Sequence, residues 1–351
     1  MRRVILILAV LLVGALGVAW LWRDTIAIAL FREGMRQALA DDPLRGRGDA
    51  LSVALCGTGS PMAAPDRLGP CTVVTAGRHV FLVDAGEGAV RALTHVGYPP
   101  ARIEAVLLTH LHSDHLDGLG GVALNHWAAG SATAPLPLYG PAGVEQVAAG
   151  FNRAYWIDRG YRIAHHGPRV VPPAGYGLAA RPIAPGLVFA ADGLRVTAFL
   201  VDHGPVKPAF GYRFDYKGRS IAISGDTAPS DNLVRASRGV DVLVHEALSP
   251  TLVAVQREEA ARQGRANLVK IFADIPGYHT SPEDAARIAT RAGARELLLT
   301  HIIPPLPYSI LEGPFLGQAR RLFAGRLTVG RDGDELVLPV GSDAIRHERR
   351  F

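Results

Sequence analysis

The residues best suited to chemistry lie in one short stretch, Thr109-His110-Leu111-His112-Ser113-Asp114-His115-Leu116-Asp117-Gly118. Three imidazoles and two carboxylates within eight residues are costly to desolvate together unless something satisfies them. A divalent cation is the partner that does so for all of them. In His110-x-His112 two rings flank one ion, and Asp114-His115, from the next turn of the loop, reach toward a second. Imidazole and carboxylate donors without thiolate point to zinc first, with manganese or iron as the other candidates. The apolar run Ala105 to Leu108 reads as a buried strand and Leu116 to Trp127 as a helix, so the stretch is a loop at a strand end.

Three more donors sit at the ends of strand-like runs. Leu194 to Val201 ends in Asp202-His203-Gly204-Pro205, Arg219 to Ile223 in Ser224-Gly225-Asp226-Thr227, and Glu296 to Thr300 in His301-Ile302-Ile303-Pro304. A single histidine in such a place is ordinarily structural. The recurrence of strand, donor and turn, together with the first stretch, completes a two-metal set. Asp84, after the strand Val80 to Val83, is expected to orient a metal ligand or to cap the following helix. Gly57-Thr58-Gly59-Ser60-Pro61 follows the strand Leu51 to Cys56 and lacks the third glycine of a dinucleotide fingerprint. It reads as a turn that bends the backbone under a site. Val244-His245-Glu246 ends another strand, where Glu246 is either a partner of a catalytic histidine or half of a structural polar pair.

THLHSDHLDG, VDHG, SGDT and LLLTH, in that order from about Leu51 to Pro305, resemble the metallo-β-lactamase superfamily of binuclear metallohydrolases. The resemblance implies an α/β fold, the αββα sandwich, with two zinc ions (or manganese or iron) at one edge of two facing sheets. It implies that His110, His112 and His203 bind one ion, that Asp114, His115 and His301 bind the other, and that Asp226 bridges both. GTGSP, the DAGEG turn and Gly277-Tyr278-His279-Thr280-Ser281 ahead of LLLTH are most similar to the ribonuclease Z and arylsulfatase-like branch. A hydroxide held by two ions is then the nucleophile, Asp114 orients it or accepts its proton, and His279 resembles the histidine that protonates the leaving group. Thr280-Ser281-Pro282-Glu283-Asp284 also looks like a capped helix start, which gives His279 a structural alternative.

Ribonuclease Z enzymes that mature transfer RNA carry an arm between the positions matching His203 and Asp226, and here only twenty-two residues intervene. The formal charge of +5 is matched by Arg2, Arg3, Arg346, Arg349 and Arg350 at the extremes, whereas a nucleic-acid binder concentrates charge on one face. The expectation is therefore a small anionic ester, phosphodiester or sulfate ester as substrate and no nucleic acid as partner. Carboxylic esters, lactones or β-lactams are the alternative, because the same hydroxide attacks a carbonyl; ribonuclease Z-type cleavage and a non-catalytic binding module rank below. Phe151, Tyr155, Trp156, Tyr161 and Tyr176, with His165-His166, read either as a pocket wall or as a small core of their own. Phe210, Tyr212 and Tyr278 are candidates to line the cleft.

At 351 residues and 48% hydrophobic composition the chain has ample material for a core. The uncharged run Val4 to Trp22, at ~1.5 Å per residue, is long enough to cross ~30 Å of hydrocarbon. Trp20 and Trp22 favour an anchor over a cleaved signal peptide, for which Ala15-Leu16-Gly17 or Gly17-Val18-Ala19 would serve. The expected organisation is an anchor or signal at 1–23, an amphipathic helix and linker at 24–50 and a hydrolase domain at 51–351. With Arg2 and Arg3 inside, that domain would face the periplasm of a bacterial inner membrane, or be soluble there after cleavage. Cys56 and Cys71 fit either a disulfide or two isolated buried thiols. Oligomeric state is left open.

Overall fold

Apolar residues alternate along the strands that follow Gly48, and the chain folds that alternation into two facing sheets. The computed structural model describes residues 2–40, 44 and 48–350, without the side chains of 9–13, 15–18 and 40. It divides into two compact units, Met1–Arg47 and Gly48–Phe351. In the second, β1 (Ala50–Gly57), β2 (Cys71–Ala76), β3 (His79–Ala85), β4 (Ala105–Leu107), β5 (Leu136–Gly140), β6 (Leu178–Pro182), β14 (Asp334–Pro339) and β15 (Arg346–Arg349) form one sheet, in the order β15-β14-β1-β2-β3-β4-β5-β6. The other sheet runs β13-β12-β11-β10-β9-β8-β7, from β7 (Gly186–Ala191), β8 (Leu194–His203), β9 (Val206–Tyr216), β10 (Arg219–Ile223), β11 (Val242–Leu248), β12 (Glu296–Ile303) and β13 (Arg326–Val329).

Every second residue fills the space between the sheets. Leu51, Val53 and Leu55 of β1, with Phe81 and Val83 of β3, share one buried cluster with Val196 and Ala198 of β8, Phe210, Tyr212 and Phe214 of β9, and Ile221 and Ile223 of β10. The intervening Ala222, Leu243, Leu297 and Leu299 turn outward onto Leu233 and onto Ala285, Ile288 and Ala289 of the helix Pro282–Ala292. Helices Ala89–His95 and Leu119–Ala128 bury Leu93, Val122 and Trp127 on the outer side of the first sheet. The layers are thus helix, sheet, sheet, helix.

Direction decides where the donors go. β3 through β6 are parallel neighbours, as are β10 through β13, so their carboxyl ends share an edge. β8 is antiparallel to β9 and β9 to β10, which brings the end of β8 to that edge too. The strands ending before His110 and Asp226, and those carrying His203 and His301, therefore finish together. Cys56 and Cys71 are disulfide-bonded, Cα to Cα 5.0 Å, tying the end of β1 to the start of β2.

Met1–Arg47 contains two helices, Arg2–Leu21 and Arg23–Ala40. Nine of the nineteen residues of the expected membrane span, 9–13 and 15–18, have side chains outside the description. Among the described residues no helix is long and apolar enough to cross a membrane. The second helix carries Arg23, Asp24, Arg32, Glu33 and Arg36, charges that hydrocarbon does not accept. The expected inner-membrane anchor and periplasm-facing placement are corrected accordingly. The helix after the metal loop also starts later than the spacing predicts, at Leu119, because Ser113–His115 close into a tight 3-10 turn.

Candidate metal centre

Glycines let three loops reach the common edge. A Cβ at Gly86 would lie 2.3 Å from the Asp114 carbonyl oxygen, and one at Gly118 would lie 2.3 Å from that of Gly86, so the DAGEG turn and the histidine loop interlock backbone to backbone. The Gly57–Pro61 loop is clamped from far along the chain. Asp332 accepts hydrogen bonds from the Thr58 amide (2.9 Å), the Thr58 hydroxyl (2.7 Å) and the Leu68 amide (2.7 Å), while the buried Arg67 guanidinium donates to Thr58 Oγ1 and the Gly330 carbonyl. The Ile302 amide donates to the Thr58 carbonyl at 2.9 Å, which registers His301 against this loop.

The predicted donors meet at one place. His110 Nε2 and His203 Nε2 lie 3.0 and 3.3 Å from His112 Nδ1. His301 Nε2 and His115 Nε2 lie 3.3 and 3.4 Å from Asp114 Oδ2. Asp226 Oδ2 stands between the two groups, 3.3 Å from His301, 3.4 Å from His115 and 3.9 Å from His110. Donors on a tetrahedron around zinc at ~2.0–2.1 Å are separated by ~3.3 Å, so the side chains fit divalent ions as they stand. His115 Nε2 is buried and has no hydrogen-bond partner among the described residues, and a cavity of about 30 Å³ beside it is bordered by Asp226 and His301. His112 is the exposed member of the set and marks its open side.

The protonation states of His110, His112 and His203 agree with metal binding. Burial and the adjacent His115 ring pull His110 well below the usual histidine value, and burial lowers His112 and His203 as well, so these rings are neutral donors. Burial by itself would raise the Asp226 carboxyl, but His301, His115 and His110 hold it well below the carboxylate range. For His115, burial opposes a charge on the ring, yet Asp226 and Asp84 draw one to it strongly. A cation is the electrostatic complement of this cluster.

A second layer aims the rings. Asp84 Oδ2 accepts from His115 Nδ1 and from the Thr109 hydroxyl, both at 2.8 Å, and Oδ1 accepts from the Thr109 amide at 2.8 Å. His203 Nδ1 donates to the Tyr278 carbonyl at 3.0 Å. Such bonds to the far ring nitrogen orient the near one toward an ion. Asp84 and His301 both adopt positive φ, 58° and 47°, an uncommon backbone state that the surrounding bonds must hold. Glu246 Oε1 accepts from the Thr280 amide at 2.8 Å and lies 3.2 Å from His279 Nδ1. Burial lowers His279, and the Glu246 carboxylate more than offsets this, raising it above the ordinary value. Ser281 also caps the helix Pro282–Ala292.

Two expected cleft residues are elsewhere: Phe210 and Tyr212 are buried between the sheets, where the Tyr212 hydroxyl donates to the Leu108 carbonyl at 2.6 Å. Tyr278 does border the site, edge-on to His203 at 5.3 Å. The Thr58–Asp332–Arg67 clamp escaped sequence reading because its partners are more than 250 residues apart and carry no motif.

Residues 79–302 match the β-lactamase superfamily domain. The chain belongs to the metallo-β-lactamase superfamily and is a metal-dependent hydrolase. A protein named ribonuclease Z from Mycobacterium bovis is 38% identical over 284 residues, 80% of this chain and 96% of the relative. One of the same name from Mycobacterium avium is 39% identical over the same length and shares. Among solved structures, a metallo-β-lactamase fold protein from Bacillus subtilis superposes with TM-score 0.60 at 22% identity, covering 82% of this chain and 99% of that one. The short form of human tRNase Z gives 0.57 at 23% identity, with coverage of 82% and 99%.

These relatives correct the expected substrate and partner. A small anionic ester without nucleic acid, and the acyl-ester, lactone and β-lactam alternatives, give way to the ribonuclease Z similarity. The missing arm does not weigh against it, since a relative 96% of which lies in a 284-residue match has no room for a large additional arm.

Proposed function

We propose that the chain is a ribonuclease Z-type endoribonuclease that hydrolyses RNA phosphodiester bonds at a pair of divalent ions, zinc by the chemistry of its donors. His110, His112 and His203 hold one ion in this reading, Asp114, His115 and His301 the other, and Asp226 both. The observation that carries it is the convergence of both donor triads on Asp226 at 3.3–3.9 Å; the name of the relatives supports RNA as substrate. When bound, such ions supply a hydroxide nucleophile at neutral pH and offset the charge of the phosphate.

The chain's own residues do the remainder. Asp114, beside His115 and His301, orients the attacking water and accepts its proton. His279, backed by the buried Glu246 and held toward its protonated form, donates a proton to the leaving ribose oxygen. Tyr278 fixes His203 through its carbonyl and walls the open side with its ring.

The test is cleavage of a labelled transfer RNA transcript extended at its 3′ end, by protein loaded with zinc and by protein stripped with a chelator. Cleavage that the chelator abolishes and zinc restores is expected. Turnover of bis(p-nitrophenyl) phosphate with no cleavage of the RNA would overturn the assignment of substrate while leaving the hydrolase intact.

A further inference from the structure

The helix Trp156–His166 buries none of its residues, although its apolar and polar positions are cleanly segregated. Trp156 and Tyr161 are 59% and 62% exposed. The guanidinium of Arg159 lies over the Trp156 ring at 4.7 Å and the Tyr176 ring at 5.5 Å, so cation and aromatic planes are stacked at the surface. Arg153, Trp156 and Tyr176 border an open groove of about 620 Å³. From residue 153 to 169 the chain has four arginines against one carboxylate, Asp158, and that one is paired with Arg162 at 2.6 Å. The formal +5 is therefore not confined to the termini: a surplus of three sits on this exposed stretch.

Tyr155 ties the stretch to the helix that follows the metal loop, while the groove itself lies at the amino end of β6, where Asn152 bonds the Leu178 amide (2.8 Å) and carbonyl (3.0 Å), the edge opposite the metal centre. The Tyr155 ring packs on Gly120, just beyond the histidine motif, where a Cβ would approach it to 2.5 Å, and Leu111 of the motif lies against Gly143 at the start of the preceding helix, Val144–Ala154. Exposed aromatic faces flanked by arginines bind single-stranded nucleic acid by base stacking and phosphate pairing. A second copy of this chain is the weaker occupant, because a two-fold contact would set the same arginines against one another.

We infer, resting on the ribonuclease reading above, that the surface formed by Arg153, Trp156, Arg159, Tyr161 and Tyr176 is an RNA-docking site that stands in for the absent arm and holds substrate at a distance from the metal centre. It binds unpaired nucleotides by stacking on Trp156 and Tyr161 and their phosphates by the arginines.

The experiment compares wild type with an Arg153→Gln, Trp156→Ala double variant on the 3′-extended transfer RNA transcript and on bis(p-nitrophenyl) phosphate, which is too small to span both places. Expected are a KM for RNA raised about ten-fold or more, an unchanged kcat, a salt dependence of RNA binding shallower by about one unit of slope, and unchanged diester hydrolysis. An unchanged KM for RNA in the variant overturns the docking site alone. Sedimentation showing that the variant loses a dimer while its KM for RNA stays the same assigns the surface to a second copy and overturns it too. Wild type that hydrolyses the diester and neither binds nor cleaves RNA sinks the ribonuclease reading itself.

Discussion

In the proposed two-ion centre Asp226 is the residue on which both donor triads depend. It is buried, anionic and within 3.9 Å of a nitrogen from each triad. Asp226→Ala is expected to leave at most one ion per chain and to lower turnover at least about a hundred-fold, since each lost factor of ten is ~1.4 kcal/mol of transition-state stabilisation; metal analysis showing two full equivalents would contradict the bridging role. His279→Ala tests a different function. Metal content should stay the same, RNA cleavage should fall about 10²-fold or more, and the nitrophenyl diester, whose leaving group needs no proton, should be nearly unaffected. Equal losses on both substrates would argue against a proton donor. At this scale the sequence was most legible: a donor's identity and its place at a strand end are local properties. Exposure is not local, which is why Phe210 and Tyr212, within ten residues of the candidate ligand His203 along the chain, belong to the core instead.

The elements set the precision of the centre. Gly86 and Gly118 have no room for a Cβ because two loops cross there, so Gly86→Ala must push the backbone of Asp114. Overpacking of this kind costs about 1–3 kcal/mol, and the displacement of Asp114 should weaken metal binding more than a surface change of equal cost. A thermal melt in the presence of chelator measures the first effect, and competition for zinc measures the second; zinc affinity equal to wild type would show that the loop crossing is not what places Asp114. Strand positions were legible from alternation, and Arg219–Ile223 matched to the residue. Boundaries near the metal loop were not, because hydrogen bonds between loops, rather than periodicity, decide where Ser113–His115 turn and where the next helix begins.

Across the whole molecule, a buried ion network stands at the other strand ends. Arg219 pairs with Asp241 through Nη2 at 3.0 Å, and Arg295 reaches the same carboxylate at 2.7 Å. Burial raises the Asp241 carboxyl, but the bonds from Arg219, the Ser220 amide and Arg295 leave it below its ordinary value. A carboxyl lowered by folding adds stability that is present above its unfolded value, ~3.9, and that disappears as pH falls through the folded one. Asp241→Asn should therefore be less stable than wild type by about 3 kcal/mol at neutral pH, the usual consequence of breaking a buried pair, and the gap should shrink below about pH 4. Denaturant unfolding across pH measures it; a gap independent of pH would exclude the ion pair as its source.

What the sequence by itself determined is the candidate donor set, the order of strands that carry it and the family, because each is written in residue types at short spacing. The convergence of those donors on Asp226 needed the parallel direction of strands in both sheets, which brings together chain segments as distant as His110 and His301. The role of the 153–169 surface also required the fold. Its aromatics fit a buried pocket wall or a small core equally well along the chain, and only the packing of the helices around it left Trp156 and Tyr161 facing solvent. Burial is a property of many distant segments at once, and no local pattern contains it.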